Sequence, residues 1–252
     1  MRIVRFQIGN CTGYGVVDGT DINQLKGTPF NGIYYSGQNF KLSDVKLLAP
    51  CCSSKVVAIG LNYKAHAAEL KHDIPESPLM FLKPSTAVIG HGDDIIYPVI
   101  SKQVDFEGEL GVVIGKQAYL VSTADALKYV LGYTCFNDVT ARDLQRKDGQ
   151  WTRAKGFDTF AAVGPWVETN LDTSALKLET FLNGELKQSS NTANMIFSVA
   201  ELVSAVSQVM TLLPGDIIAS GTPNGIGPMQ IGDEVEVKID GIGSLQNRVR
   251  HH

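Results

Sequence analysis

Long apolar runs are missing from this chain of 252 residues. Nothing in it approaches the roughly 18–20 apolar residues of a membrane span. The opening stretch, MRIVRFQIGN, has no apolar core of the kind a signal peptide carries. Runs of lysine or arginine are missing too, and the net charge is −4, which argues against nucleic acid or a membrane surface as a partner. Cysteine is scarce. Cys11, Cys51, Cys52 and Cys135 form no CxxC pair, and the adjacent Cys51–Cys52 is a poor disulfide or zinc framework. Free thiols in a reducing compartment are expected, and with them a cytoplasmic protein. Internal repeats and low-complexity segments are also lacking.

What is present is an ordinary globular composition, 44% hydrophobic and 19% charged, with enough chain for one large domain or a core with a small appendage. Short alternating or β-branched runs recur: RIVRFQI, GYGVV and NGIYYSG before residue 50, then KVVAIGL, LMFLKPSTAVIG, FAAVGPWV and EVEVKIDG. Asn183-Gly184 between two such runs predicts a hairpin turn. Helices are few. Ser198 with Glu201 three residues on forms a capping box ahead of an apolar stripe that Pro214-Gly215 ends. A second helix is expected from Ser122, followed by a strand into Asp138. Strands do not alternate regularly with helices, so the expected class is mixed and mostly β with a few helices (α+β), not a doubly wound sheet. The division expected is a small N-terminal β module over residues 1–49 and a larger domain over 50–252.

Five stretches carry reactive side chains. In VDFEGELGVVIG, Asp105, Glu107 and Glu109 occupy every second position of an expected strand and face one way. Either they are solvated on an edge, or a hard divalent ion such as Mg²⁺, Mn²⁺ or Ca²⁺ offsets their repulsion. Asp105 is the one expected to be only a surface charge. In NYKAHAAEL, His66 and Glu69 are three apart and meet on a helical turn, as a surface pair or as a base with its orienting carboxylate. FNDVTARDLQ offers Asp138, Arg142 and Gln145, as a capped and salt-bridged turn or as pocket residues. Lys155 is a substrate clamp or a snorkelling side chain. The Gly-rich ASGTPNGIGP has neither P-loop nor dinucleotide spacing. It is a plain turn, or its amides and the Thr222 hydroxyl bind a carboxylate.

Taken in order, GLNYKAHAAE, PLMFLKPSTAVIG, DFEGELGVVIGK, YTCFNDVTARDLQ, QWTRAKGFDTF, NTANMIFSVAELV and LLPGDIIASGTPNGIG resemble the fumarylacetoacetate hydrolase family over about residues 55–240. The resemblance implies a rolled mixed β-sheet core, with residues 1–49 as the small N-terminal module, and a homodimer. It implies a Mg²⁺ or Mn²⁺ site on Glu107, Glu109 and Asp138, with Asp105 outside it, and a His66–Glu69 dyad with Lys155 as the active-site lysine. Thr222 falls on a position that binds the substrate carboxylate, and Arg142 and Gln145 fall on pocket positions. The implied activity is on small 2-oxo acids through a metal-stabilised enolate, either C–C hydrolysis of acylpyruvates or decarboxylation of oxaloacetate to pyruvate. An isomerase or tautomerase, and a metal-binding dimer without activity, are the alternatives. The segment from Lys64 to Glu76 is polar and bounded by prolines, and is expected to act as a lid, disordered without ligand and a short helix once a 2-oxo acid binds.

Overall fold

Period-two alternation and β-branched runs put most of the chain into strands. The computed structural model describes residues 1–251 except Leu70 and His72. Among these, a twelve-stranded mixed sheet dominates. Its path starts at an edge with Tyr35–Lys41, Asp21–Leu25, Cys11–Asp18 and Arg2–Ile8. It continues through Ala161–Glu168, Val130–Asp138 and Gly108–Ile114, and finishes with Ile217–Ala219, Lys55–Gly60 and Leu79–Pro84. Neighbours along this path are antiparallel except Ile217–Ala219 beside Lys55–Gly60. The N-terminal strands therefore extend the main sheet, through Arg2 opposite Glu168 and Ile3 opposite Val167. They also bury a small apolar cluster of their own around Val4, Phe6 and Ile22.

A five-stranded sheet, built from Glu185–Asn191, Lys177–Leu182, Glu234–Ile239, Gly243–His251 and Asp94–Tyr97, lies across part of the larger one. The main core fills the space between them, with Leu110, Val112 and Ile114 meeting Leu178, Val237 and Leu245. Val113 points to the opposite side of its strand and joins a second cluster with Val56, Phe136 and Ile217. This explains why VVI is apolar at every position: both faces of that strand are covered.

Four α-helices are described: α1 (Lys64–Glu69), α2 (Arg142–Asp148), α3 (Thr152–Lys155) and α4 (Val199–Val209). In α4 both halves of the capping box form, and Val199, Leu202, Val203 and Val206 face the core. Asn183 and Gly184 turn the expected hairpin with φ of 52° and 79°. The helix expected from Ser122 is only a 3₁₀ turn, Ala126–Tyr129, because Val130 and Leu131 are drawn into the strand Val130–Asp138 and Leu127 faces solvent. No helix among the described residues is long and apolar enough to cross a membrane.

The acidic stretch is not one strand. Val104–Phe106 pairs with Thr140–Ala141 and Gly227–Met229 in a small three-stranded sheet, and the chain passes to the main sheet at Glu107. Gly108 sits at this crossing against the five-stranded sheet. A Cβ there would lie 2.1 Å from the Thr180 hydroxyl oxygen. Gly108→Ala is therefore expected to cost about 1–3 kcal/mol through overpacking, and to weaken divalent-ion binding although every acidic residue remains. Thermal unfolding with and without Mn²⁺ measures both; an unchanged melting temperature would contradict it.

Candidate active site and metal centre

The sheet crossing at Glu107 aims neighbouring carboxylates into one pocket of about 290 Å³. Glu107 and Glu109 come from the two sides of Gly108. Asp138 ends the adjacent strand and donates its backbone N–H to the Glu107 carbonyl, 2.9 Å. One carboxylate oxygen from each of the three lies within 4.8 Å of the others, and all three residues are buried. Glu107 is further fixed by the Asn137 side chain, which accepts from its N–H at 2.9 Å. Glu109 accepts from the Gly221 N–H at 2.8 Å, which ties the Gly-rich loop to the acidic strand.

Three buried cations face these acids. Lys155, at the end of α3, donates to Glu107 at 2.8 Å and to Asp138 at 2.6 Å. Arg142, the first residue of α2, donates from Nε to Asp105 at 2.8 Å and from Nη2 to Glu107. Lys83, on Leu79–Pro84, donates to Asp138 and, at 3.1 Å, to the Val139 carbonyl. Sequence reasoning passed over Lys83. Its only signal was a lysine inside the otherwise apolar LMFLKP. Asp105 corrects another expectation: it is 3% exposed and ion-paired, not a surface charge. The period-two alternation survives the strand break far enough for one guanidinium to hold both Asp105 and Glu107.

The electrostatics divide the acids. Burial alone would raise the Glu107 pKa, but the Lys155 and Arg142 charges outweigh it and hold the carboxyl well below its usual range. Glu109 makes no ion pair among the described residues, and the pull of Lys155 on it is outweighed. Burial, then the Asp138 and Glu107 charges, push it well above 4.5. Burial pulls Lys83 down to about 8 against the pull of Asp138. For Lys155, burial lowers the pKa, but Asp138 and Glu107 together outweigh it and the net shift is upward. At full formal charge, the four acids exceed the three cations by one. A hard divalent ion fits this set: three oxygen donors lie close together, and the cluster, Asp105 included, is short of positive charge. Glu107, Glu109 and Asp138 are the residues that would hold it.

The other expected residues fall around this cluster. His66 is buried in the pocket wall, and its Nδ1 lies 3.0 Å from the Glu69 carboxylate. Glu69 also accepts from the Gly225 N–H at 3.0 Å, so α1 is tied to the Gly-rich loop at its far end. At its near end, Asn62 donates to the Ser220 carbonyl at 2.7 Å and accepts from the Phe197 N–H at 2.7 Å. The segment expected to be disordered without ligand is instead a formed helix over Lys64–Glu69, because these ties fix both its ends; Leu70 and His72 within that segment lie outside the described residues. Gln145 lines the pocket and accepts from Arg142 Nη1. Thr222 lines it too, with its hydroxyl donating to the Gly108 carbonyl and accepting from Gln188, each at 2.9 Å. Gln188, a further residue the sequence did not mark, also accepts from the Gly108 N–H at 3.0 Å. An apolar wall of Ile59, Leu79, Phe81 and Trp151 completes the pocket, with the two aromatic rings edge to face at 5.1 Å.

Because folding raises the Glu109 pKa, this group's own contribution to the metal-free fold is most favourable in acid, whereas the depressed Glu107 works in the opposite sense. The Glu109 contribution is neutral below about pH 4.5 and becomes destabilising as the pH climbs toward the raised value. A divalent ion needs the charged carboxylate, so its uptake releases the proton and its affinity rises with pH. Calorimetric titration with Mn²⁺ at a series of pH values from about 4.5 upward, in two buffers of different ionisation heat, is expected to show a buffer-dependent heat within that range; identical heats at every pH would contradict this assignment.

Comparison with known proteins agrees with this architecture. Residues 55–250 match the fumarylacetoacetate (FAA) hydrolase C-terminal family, and residues 1–50 match the Rv2993c-like N-terminal family. The crystal structure of 5-carboxymethyl-2-hydroxymuconate delta-isomerase from Mycobacterium smegmatis is 44% identical, superposes with a TM-score of 0.94, and is matched over 100% of both chains. Oxaloacetate tautomerase YisK of Bacillus subtilis is 43% identical over 225 residues, 83% of this chain and 75% of that one. Maleylpyruvate hydrolase from Sphingobium sp. SYK-6, crystallised with manganese(II) and pyruvate, is 29% identical with a TM-score of 0.82, over 100% of this chain and 99% of that one. With residues 55–250 matched by the family, this chain belongs to the fumarylacetoacetate hydrolase family.

Proposed function

We propose that the protein is a divalent-metal-dependent enzyme acting on small 2-oxo acids, hydrolysing the C–C bond of acylpyruvates or decarboxylating oxaloacetate, with pyruvate as product. The observation that carries this reading is the meeting, in one pocket, of the three-carboxylate cluster, the Lys155 ammonium and the His66–Glu69 pair. A bound Mg²⁺ or Mn²⁺ would supply a Lewis acid that polarises the 2-oxo group. The manganese in the maleylpyruvate hydrolase crystal supports that choice of ion.

The chain's own residues do the rest. With Nδ1 engaged by Glu69, His66 keeps Nε2 as its free ring nitrogen, and this nitrogen takes the proton from a water molecule. Glu69 fixes the ring and the tautomer. The water oxygen attacks the distal carbonyl carbon and the C–C bond breaks. Its electron pair passes to the three-carbon fragment as the enolate of pyruvate, which leaves after taking up a proton. In decarboxylation the bond to the departing CO₂ supplies the same electron pair. Lys155 keeps its positive charge beside the acids and stabilises the negative charge that grows on the 2-oxygen. Arg142 and Gln145 shape the wall on which the acid end is oriented, and the Thr222 position meets the substrate carboxylate. The lid reading belongs to the same proposal: α1 closes His66 over the site, hinged at Asn62 and latched by Glu69 on Gly225.

A second reading, tautomerisation or isomerisation without C–C cleavage, is favoured by two relatives more similar than the maleylpyruvate hydrolase, which are named oxaloacetate tautomerase and hydroxymuconate isomerase. It uses the same enolate with a proton moved between carbon and oxygen. A homodimer also belongs to the proposal. Exposed apolar side chains, Val99 and Ile100 among them, supply surface for a second copy, and a monomer mass by light scattering would refute it.

The deciding assay strips the protein with chelator, restores Mg²⁺ or Mn²⁺, and follows acetylpyruvate and oxaloacetate in parallel. Metal-dependent pyruvate formation is expected from at least one; keto–enol interconversion of oxaloacetate with no pyruvate would select the second reading. Glu107→Ala is expected to lose both metal binding and turnover. His66→Ala is expected to keep the metal and lose hydrolysis by roughly 10²–10⁴-fold. An unchanged hydrolysis rate in His66→Ala would remove His66 from the mechanism.

A further inference from the structure

The helix α2 presents Arg142, Gln145 and Arg146 to the same pocket, as spacings of three and four residues require. The two arginines differ in what they hold. Arg142 is buried, and its guanidinium is engaged by Asp105, Glu107 and Gln145. Arg146 is exposed at the pocket wall and makes no hydrogen bond or ion pair among the described residues. The nearby Arg153, by contrast, is held by both oxygens of Asp148. Arg146 thus brings an unneutralised cation to the pocket.

The charge balance says what that cation is suited to. Four buried acids face three buried cations, which leaves one net negative charge. A divalent ion would turn this into one net positive charge, and the carboxylate next to the 2-oxo group would cancel it. A second carboxylate on the substrate would then find no buried partner, and Arg146 is the pocket residue free to take it. The reach is right. Four helical residues place Arg146 about 6 Å along α2 from Arg142. A chain of four or five carbons spans roughly 4–6 Å between its ends. Its methylene carbons would lie on the apolar wall of Phe81 and Trp151.

We propose that Arg146 is a specificity-determining residue that pairs with the distal carboxylate of a dicarboxylic 2-oxo acid, so that the site selects diacids over 2-oxo acids with an uncharged tail. This rests on the proposed action on 2-oxo acids.

The test uses two stable probes that share a five-carbon 2-oxo acid skeleton, 2-oxoglutarate and 2-oxovalerate, the first ending in a carboxylate and the second in a methyl group. Binding of each to the Mn²⁺-loaded protein is measured by calorimetry. Wild type is expected to prefer 2-oxoglutarate by roughly five- to tenfold, the scale of a partly solvated charge-assisted pair. Arg146→Gln should erase that preference by weakening 2-oxoglutarate alone, Arg146→Lys should restore part of it, and Lys147→Gln, one residue on and outside the pocket lining, should leave it unchanged. A preference that survives Arg146→Gln, or equal weakening of both probes, would overturn the role of Arg146. Equal binding of both probes by wild type would overturn it while leaving the 2-oxo acid reading intact. Binding of neither probe by wild type would overturn both.

Discussion

Mutual repulsion among Glu107, Glu109 and Asp138 is the force the rest of the site answers. Their ligating oxygens lie within 4.8 Å of one another in a buried pocket. Charges that close, away from water, are tolerated only when partners of opposite sign share the space. The protein supplies Lys83, Arg142 and Lys155 from three different elements, but Asp105 shares Arg142, so the four buried acids still exceed the cations by one. Glu109 registers that excess by holding its proton more tightly than a free carboxyl would. The strain of collecting the acids is thus the same property that makes the cluster fit a hard divalent ion.

Around the charges, backbone groups are tied by neutral hydrogen bonds that fix where each carboxylate points. Gln188 reaches from the smaller sheet to the Gly108 N–H, the Thr222 hydroxyl and the Pro223 carbonyl. Asn137 holds the Glu107 N–H, and the Gly221 N–H holds Glu109. These contacts knit the acidic crossing, the Gly-rich loop and the five-stranded sheet into one unit. Side chains placed on strands packed on both faces have few rotamers open to them, which is what a preorganised site needs. The short helix α1 is attached to this unit at its two ends, by Asn62 on the Ser220 carbonyl and by Glu69 on the Gly225 N–H.

The same arrangement explains how relatives with this fold carry names as different as tautomerase, isomerase and hydrolase. Polarising a 2-oxo group and steadying the charge that develops there serves all three reactions. What separates them is the group that moves the proton and the shape of the far end of the pocket. In the proposed mechanism those parts are His66 with Glu69 on one side, and α2 with its apolar counterpart on the other.

The residue spacings alone determined a good deal of this. Period-two acids at 107 and 109 predicted convergent carboxylates, three-residue spacing predicted the His66–Glu69 contact, and Ser198 with Glu201 predicted the start of α4. Each is a local pattern whose geometry follows from the helix or strand repeat. The break at Glu107, the burial of Asp105 and the roles of Lys83 and Gln188 were not legible, because they are contacts across long separations. Asp105 meets Arg142 37 residues away, Lys83 meets Asp138 55 residues away, and Gln188 meets Gly108 80 residues away. The helix expected from Ser122 failed for the same reason: the main sheet claimed Val130 and Leu131 for a strand. Sequence by itself thus determined which neighbouring side chains share a face, Glu107 with Glu109 and His66 with Glu69, since local repeats set that, while the resemblance to the family pointed to Asp138, Lys155 and Thr222. Only the tertiary structure decided how their charges are balanced, because the compensating cations arrive from elements that meet nowhere except in the folded chain.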